Sequence, residues 1–112
     1  MITIIRGTDN SIATTIKLNG TAIDITGYTV LFTVKKRDDI SKSDDSAVIQ
    51  KTITEHTDPT TGQTTIVLTN TDTDIEQGQY YWDIRLINPS GSISQTNRGE
   101  LEIVSGITKR EA

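Results

Sequence analysis

The chain has 112 residues, a net charge of -4, 33% hydrophobic residues and only 4% aromatic residues. The length fits one domain, and the acidic balance argues against a nucleic-acid backbone or an anionic membrane as the main partner. The chain has no cysteine, which excludes disulfides and thiolate metal sites and fits folding in a reducing cytoplasm. No apolar run approaches the roughly 20 residues of a membrane span, so we expect no membrane insertion.

Short strand patterns and turn signals alternate through the first part of the chain. Residues 2–5 form an apolar strand, and residues 11–18 alternate in polarity as a strand does. Asn19-Gly20 follows, a dipeptide preferred in type I′ hairpin turns, and residues 22–25 form the short return strand. The first strand is rich in Ile and lacks charge, so its edge is suited to pairing with another chain.

The clearest strand covers residues 28–36, because its apolar and polar positions alternate without a break. Its apolar face consists of Val30, Phe32 and Val34. Residues 37–46 are polar and charged, which predicts a loop. A further strand follows over residues 47–55.

Two turn signals divide the second half of the chain, Asp58-Pro59-Thr60-Thr61-Gly62 and Asn88-Pro89-Ser90-Gly91. Residues 63–69 form a return strand between them, and two closing strands cover residues 92–96 and 100–104. Another strand precedes the second turn, and its inward face is expected to consist of Tyr80, Trp82, Ile84 and Leu86.

A loop that starts near residue 70 ends in the pattern Ile75-x-x-Gly78-x-Tyr80. This pattern is similar to the tyrosine corner of immunoglobulin-like sandwiches, in which the tyrosine hydroxyl hydrogen-bonds to the backbone of the preceding loop. We predict that Tyr80 and Trp82 hold this corner and the core together, and that Gly78 permits a tight approach. The alternative is that Tyr80 is an ordinary strand aromatic.

About eight or nine short strands with turns between them predict an all-β chain, an immunoglobulin-like antiparallel β-sandwich. We place this single domain over residues 1–105 and expect residues 106–112 to be a flexible C-terminal tail.

Several short phrases extend the similarity over nearly the whole chain, from about residue 4 to residue 104. In chain order they are Arg6-Gly7-Thr8-Asp9, Ile23-Asp24-Ile25-Thr26-Gly27-Tyr28, Val30-Leu31-Phe32-Thr33-Val34-Lys35-Lys36, the turn at residues 58–62, residues 68–73, Gly78-x-Tyr80, and Glu100-Leu101-Glu102-Ile103. In this order and spacing the chain resembles the immunoglobulin-like N-terminal domain of tailed-phage baseplate proteins of the upper-baseplate type. That family supplies no catalytic residues to transfer.

The titratable residues form no catalytic constellation. The single histidine, His56, precedes a turn and is expected to be an exposed loop residue. Asp72, Asp74 and Glu76 alternate in a spacing that suggests Ca²⁺ ligands. Helix capping, in one turn over residues 71–77 capped by Asn70 or Thr71, and simple solvation are favoured instead. A second acidic cluster is expected to be a solvated loop, with a weak cation site as the alternative. Its members are Asp38, Asp39, Asp44 and Asp45. We therefore expect no catalytic residue, cofactor or metal.

The strongest interface candidates share the outward face of the strand that follows the corner. Tyr and Arg are enriched at binding hot spots, although an ordinary cross-strand cluster explains these residues equally well. Ile5, Leu31 and Ile87 also fall at outward positions, and together they would mark a subunit contact. The candidate interface residues are Tyr81, Asp83, Arg85, Leu31 and Ile5.

The resemblance implies a non-enzymatic structural component of a phage or prophage tail or baseplate, located in the virion after folding in the host cytoplasm. Its expected partners are other virion or tail proteins and copies of itself, without nucleic acid. The alternative is an adhesin-like or carbohydrate-binding sandwich. It predicts exposed aromatics, such as Trp82 on the outer face, and a glycan partner for which the sequence offers no support. A small enzyme would need a deep polar pocket near His56 or the acidic clusters.

Overall fold

Strands dominate the computed structural model, which describes residues 2–43 and 46–107, with the backbone alone at residues 95–97. The strands are β1 (Ile2–Ile5), β2 (Asn10–Thr15), β3 (Lys17–Leu18), β4 (Thr21–Ala22), β5 (Thr29–Lys36), β6 (Ile49–Ile53), β7 (Gln63–Leu68), β8 (Gly78–Ile87) and β9 (Ile93–Val104). Short 3-10 helices cover Arg37–Asp39 and Pro59–Thr61. The prediction of an all-β chain is confirmed.

The main sheet has five strands in the order β1-β9-β8-β5-β6. Its pairings are antiparallel except for β1, which runs parallel to β9 with Ile2 opposite Leu101. The expectation of a wholly antiparallel sheet is therefore wrong at this edge. β2 pairs with β7, and β3 pairs with β4, in two further two-stranded sheets.

One apolar cluster contains the inward residues of the main sheet together with residues of β2 and β7. The inward residues of β5 are buried as predicted, and Ile66 and Leu68 of β7 are buried as well. Burying an aliphatic side chain of this size contributes about 1.5–3 kcal/mol, so these positions fix the strand register. The buried apolar residues are Ile4, Ile16, Ile25, Val30, Phe32, Val34, Ile49, Ile66, Leu68, Tyr80, Ile84, Leu86, Leu101 and Ile103.

The strand expected over residues 11–18 is divided at Ile16, which lies outside both β2 and β3. The Ile16 amide donates to the carbonyl of Gly62 at 2.7 Å, and the Ile16 carbonyl accepts from the Ile23 amide at 3.2 Å. The chain passes so close here that a Cβ on Gly62 would lie 2.7 Å from the Ile23 carbonyl oxygen. The Ile16 amide therefore bonds to the residue before β7, and the Ile16 carbonyl bonds to the residue after β4. This change of partner ends the strand.

The hairpin predicted at Asn19-Gly20 is present, with left-handed φ values of 53° and 81°. Its return strand is shorter than expected, because β4 ends at Ala22. Beyond that point the Ile23 amide donates to Ile16 and the Ile25 amide donates to Pro59, so the backbone bonds leave the β3–β4 ladder.

The two closing strands predicted over residues 92–96 and 100–104 are one strand, β9. Asp83 is opposite Arg98, whereas Arg85 is opposite Gln95, so β9 contains one extra residue at this point. Such a β-bulge interrupts the alternation of side chains without ending the ladder. The interrupted alternation is why the sequence predicts two strands where the structure has one.

The helical turn predicted over residues 71–77 is not formed. Instead, the Thr73 amide donates to the Thr69 carbonyl at 3.1 Å, so residues 69–73 form an isolated turn that does not continue as a helix. The side chain of Asp72 accepts from the Thr69 amide at 2.8 Å, so it satisfies the backbone on the N-terminal side of the turn. The predicted tail over 106–112 lies mainly outside the described residues, as do Asp44 and Asp45 of the second acidic cluster.

Candidate functional site

The two faces of β8 have the phases predicted from the sequence. Tyr80, Ile84 and Leu86 are buried on the inner face, and Arg85 is exposed on the other. Trp82 packs inward, with its ring centroid 5.8 Å from that of Phe32. The carbohydrate-binding alternative predicts exposed aromatics, such as Trp82 on the outer face, whereas Trp82 is half-buried and packs against the core.

Gly99 provides the space for Trp82. The two residues are cross-strand partners, and a Cβ on Gly99 would lie 3.0 Å from atoms of the indole ring. The indole NH is buried and has no hydrogen-bond partner among the described residues. Trp82 is thus held by packing against its neighbours and not by a hydrogen bond.

A hollow of about 690 Å³ lies on the outer face of the main sheet, and we call it the outer hollow. Three strands form its floor, β5, β8 and β9, and the loop after β5 forms a wall. The residues that line it are Leu31, Thr33, Lys35, Ile40, Lys42, Tyr81, Trp82, Asp83, Arg85, Arg98, Gly99 and Glu100.

Strand register arranges the floor of the outer hollow in rows that cross the sheet. One row joins Lys35, Tyr81 and Glu100, and the next joins Thr33, Asp83 and Arg98. A third row places Leu31 opposite Arg85. Directly opposed side chains lie close enough to interact, so basic, acidic and apolar groups adjoin one another across the floor.

The wall of the outer hollow is held by hydrogen bonds to the floor and within the loop. The Lys35 ammonium donates to the Lys42 carbonyl at 2.8 Å. The Lys42 ammonium lies 2.8 Å from the Asp39 carboxylate, and this contact raises the pKa of Lys42 and lowers the pKa of Asp39. Ile40 remains 44% exposed at the rim.

Four of the five interface candidates line this hollow: Leu31, Tyr81, Asp83 and Arg85. Ile5 does not, because it lies opposite Val104 on the edge strand β1, where it is 50% exposed. Ile87 lies opposite Thr29 at the far end of β8. Leu31 and Ile87 are diagonal neighbours in the β5–β8 register, but Ile5 lies two strands away from β8, so the three residues do not form one cluster.

Sequence reasoning missed Arg98 and the rim residues Ile40 and Lys42 as members of the same surface. Arg98 was hidden by the bulge, which displaces the alternation in β9. The rim residues belong to a loop that is held by a hydrogen bond from the Lys35 ammonium to the Lys42 carbonyl, which the alternation of polarity does not indicate. The outward phase of Lys35 and Glu100 was readable, but not which residue of β8 each one faces.

The corner contains the hydrogen bond predicted from the sequence. The Tyr80 hydroxyl donates to the Glu76 carbonyl at 2.5 Å, and Ile75 is half-buried against the core. Burial raises the pKa of Tyr80, the Glu76 charge raises it further, and Arg6 acts in the opposite direction. The tight approach predicted at Gly78 is wrong, because no atom lies within 4 Å of a Cβ built there. Its φ of 148° is what favours glycine.

The acidic residues of the corner loop are paired with cations of other segments. Asp72 lies 2.6 Å from the Lys51 ammonium, and Asp74 lies 3.1 Å from Arg6. Burial acts to raise the pKa of Asp72, but the hydrogen bonds from Lys51 and Thr69 outweigh it, so that pKa is lowered. Across the described part of the chain, no three His, Asp or Glu side chains are grouped as they would be around a metal ion.

His56 is not the exposed loop residue expected from the sequence. It is half-buried, with Nδ1 2.9 Å from the hydroxyl of Thr64 and Nε2 2.8 Å from the carbonyl of Tyr28. Because a carbonyl only accepts, Nε2 carries a proton and donates. His56 therefore joins the segment after β6 to β7 and to the start of β5.

A family model described as the BppU N-terminal domain matches residues 2–103. A comparison with curated proteins found no match. The described residues contain no helix that is long and apolar enough to cross a membrane.

Proposed function

The chain belongs to the BppU N-terminal domain family, the N-terminal domain of a phage baseplate upper protein, and on that basis we propose a non-enzymatic structural role in a phage or prophage tail. The domain would act by protein–protein assembly, binding other baseplate proteins and copies of itself in the virion. The match carries this proposal because it spans residues 2–103, nearly the whole chain.

We further propose that the domain is an immunoglobulin-like sandwich. The hydrogen bond from Tyr80 to the Glu76 carbonyl supports this, because it has the form of a tyrosine corner. The single apolar cluster, which is built from residues of the main sheet and of the β2–β7 pair, also supports a sandwich. The chain contains no cysteine, which is consistent with folding in the host cytoplasm before incorporation into the particle.

The chemistry of the titratable side chains favours assembly over catalysis. Both ring nitrogens of His56 are engaged in hydrogen bonds that join segments of the fold. Asp72 and Asp74 are held in ion pairs. The outer hollow, in contrast, combines charged groups with the exposed side of Tyr81 and Leu31, the mixture found at protein interfaces.

Co-expression with other tail proteins encoded by the same genome tests the proposed role. We expect the chain to co-purify in a complex of fixed stoichiometry with at least one of them, measured by size-exclusion chromatography with light scattering. We expect a His56→Ala variant to have a lower free energy of unfolding, because the proposal assigns His56 to stability and not to a reaction. Failure to bind any of these tail proteins would contradict the assembly role.

A further inference from the structure

The outer hollow is basic, although the chain as a whole has a net charge of -4. Two carboxylates line it, Asp83 and Glu100, and they are outnumbered by cations. The cations that line it are Lys35, Lys42, Arg85 and Arg98. The rest of the molecule therefore carries the excess of acid, so a second copy of this chain is electrostatically complementary to the hollow.

Two of the cations are available to a partner. Arg85 and Arg98 are exposed, and neither makes a hydrogen bond or ion pair with another of the described residues. The guanidinium group is suited to bidentate binding of carboxylates. Tyr81 and the 44% exposed Ile40 line the same hollow and offer apolar contacts beside them. The hollow is thus suited to an acidic segment that also carries an apolar residue.

Such a segment lies elsewhere on the chain, in the loops at residues 6–9 and 69–77, which we call the acidic corner. The two loops are joined because the Asp9 carboxylate accepts from the Asn70 amide at 2.7 Å. Asp9, Asp74 and Glu76 are exposed there, and the half-buried Ile75 lies between the last two. Arg6 is the one exposed cation within these loops, and it is paired with Asp74.

The acidic corner and the outer hollow lie on opposite sides of the main sheet. The corner is reached from the inner side, by the Tyr80 hydroxyl and by Lys51, which shares the phase of Ile49. The hollow is on the outer side. One copy therefore presents both surfaces at once, each directed toward a different neighbour.

We propose that the outer hollow binds the acidic corner of a second copy of this chain, in a head-to-tail contact. This inference rests on the assembly role proposed above and specifies its surfaces. Because the two surfaces differ, the contact is heterologous and leaves a free hollow at one end and a free corner at the other. Repetition of the contact produces a ring or an open row of copies.

Two charge-reversal variants test the contact. The hollow variant carries Arg85→Glu and Arg98→Glu, and the corner variant carries Asp74→Lys and Glu76→Lys. We expect the wild-type protein to associate as its concentration rises to about 1 mM, measured by sedimentation equilibrium. The association should weaken as salt rises from about 0.05 M to about 0.5 M, because exposed charges are then screened.

Each variant alone should bind itself about 100-fold more weakly than the wild type, because like charges then face each other. An equimolar mixture should associate again, because the intact hollow of the corner variant can receive the intact corner of the hollow variant, and the two reversed surfaces also carry opposite charges. Lys17→Glu, an exposed charge change on β3, should leave association unchanged. Circular dichroism checks that each variant is folded.

Any of three results would overturn the proposal. One is a wild-type protein that remains monomeric at about 1 mM in low salt. The second is association that survives in either folded variant alone, and the third is a mixture that stays monomeric while the wild type associates. Retained binding of other tail proteins under any of these results would show that the assembly role stands and only this contact is wrong.

Discussion

Replacing Tyr80 with Phe removes one hydroxyl and leaves the buried ring in place. In the wild type this hydroxyl donates to the Glu76 carbonyl at 2.5 Å, and Tyr80 is only 3% exposed. An intramolecular hydrogen bond contributes about 0.5–1.5 kcal/mol net. Because Glu76 is exposed, water can satisfy its carbonyl in the variant. We therefore expect Tyr80→Phe to lower the free energy of unfolding by about 1 kcal/mol.

Urea denaturation followed by the fluorescence of Trp82, the single tryptophan, measures this loss. Tyr81→Phe is the matched control: Tyr81 is the next residue, lies on the outer face, and makes no hydroxyl hydrogen bond to another described residue. It should change stability by less than about 0.5 kcal/mol. Equal losses in the two variants, or none at Tyr80, would refute the corner hydrogen bond.

The pH dependence of stability in Tyr80→Phe and Tyr81→Phe gives a second test of the corner hydrogen bond. Burial raises the pKa of Tyr80 above its usual 10.0, so the folded state retains the proton that the unfolded state loses. The stabilising contribution is complete below pH 10.0 and is lost as pH rises through the raised pKa. Tyr80→Phe should lack this decline, whereas Tyr81→Phe should retain it.

Further substitutions examine packing and charge. Gly99→Ala places a Cβ 3.0 Å from the Trp82 indole and should cost about 1–3 kcal/mol, with a change in tryptophan fluorescence. Gly62→Ala should destabilise more than Gly20→Ala: φ is similar at 79° and 81°, but only Gly62 has backbone atoms within 3.0 Å of the new Cβ. Asp72→Asn should cost about 1 kcal/mol at neutral pH. That cost should shrink as pH falls below 3.8, because the lowered pKa of Asp72 stabilises the fold only while the residue is ionised. Equal stability of the two glycine variants, or a pH-independent cost at Asp72, would contradict these contacts.

Strand positions were readable from the sequence wherever one face is buried along a single ladder. The alternation in β5 fixed its inner residues, and the outward phase of Tyr81, Asp83 and Arg85 was also readable. The division at Ile16 was not readable, because it depends on the approach of Gly62, distant in sequence. Local alternation contains no information about such a crossing.

The composition of the outer hollow depended on contacts that no local pattern encodes. The bulge between Asp83 and Arg85 sets which residues of β9 face β8, and it brings Arg98 into the hollow. The loop that carries Ile40 is held by a hydrogen bond from the Lys35 side chain to the Lys42 carbonyl. The burial of His56 could not be predicted from the sequence, because its hydrogen-bond partners, Tyr28 and Thr64, belong to other segments.

The role in the particle can be tested on the virion itself. Phage particles encoded by the same genome would be purified and labelled with gold-coupled antibodies against this chain, then viewed by electron microscopy. As a baseplate component, the chain should be labelled at the tail tip, and mass spectrometry should find it at a fixed ratio to other tail proteins. Intact particles that lack the chain, or label confined to the host cell, would contradict the assignment.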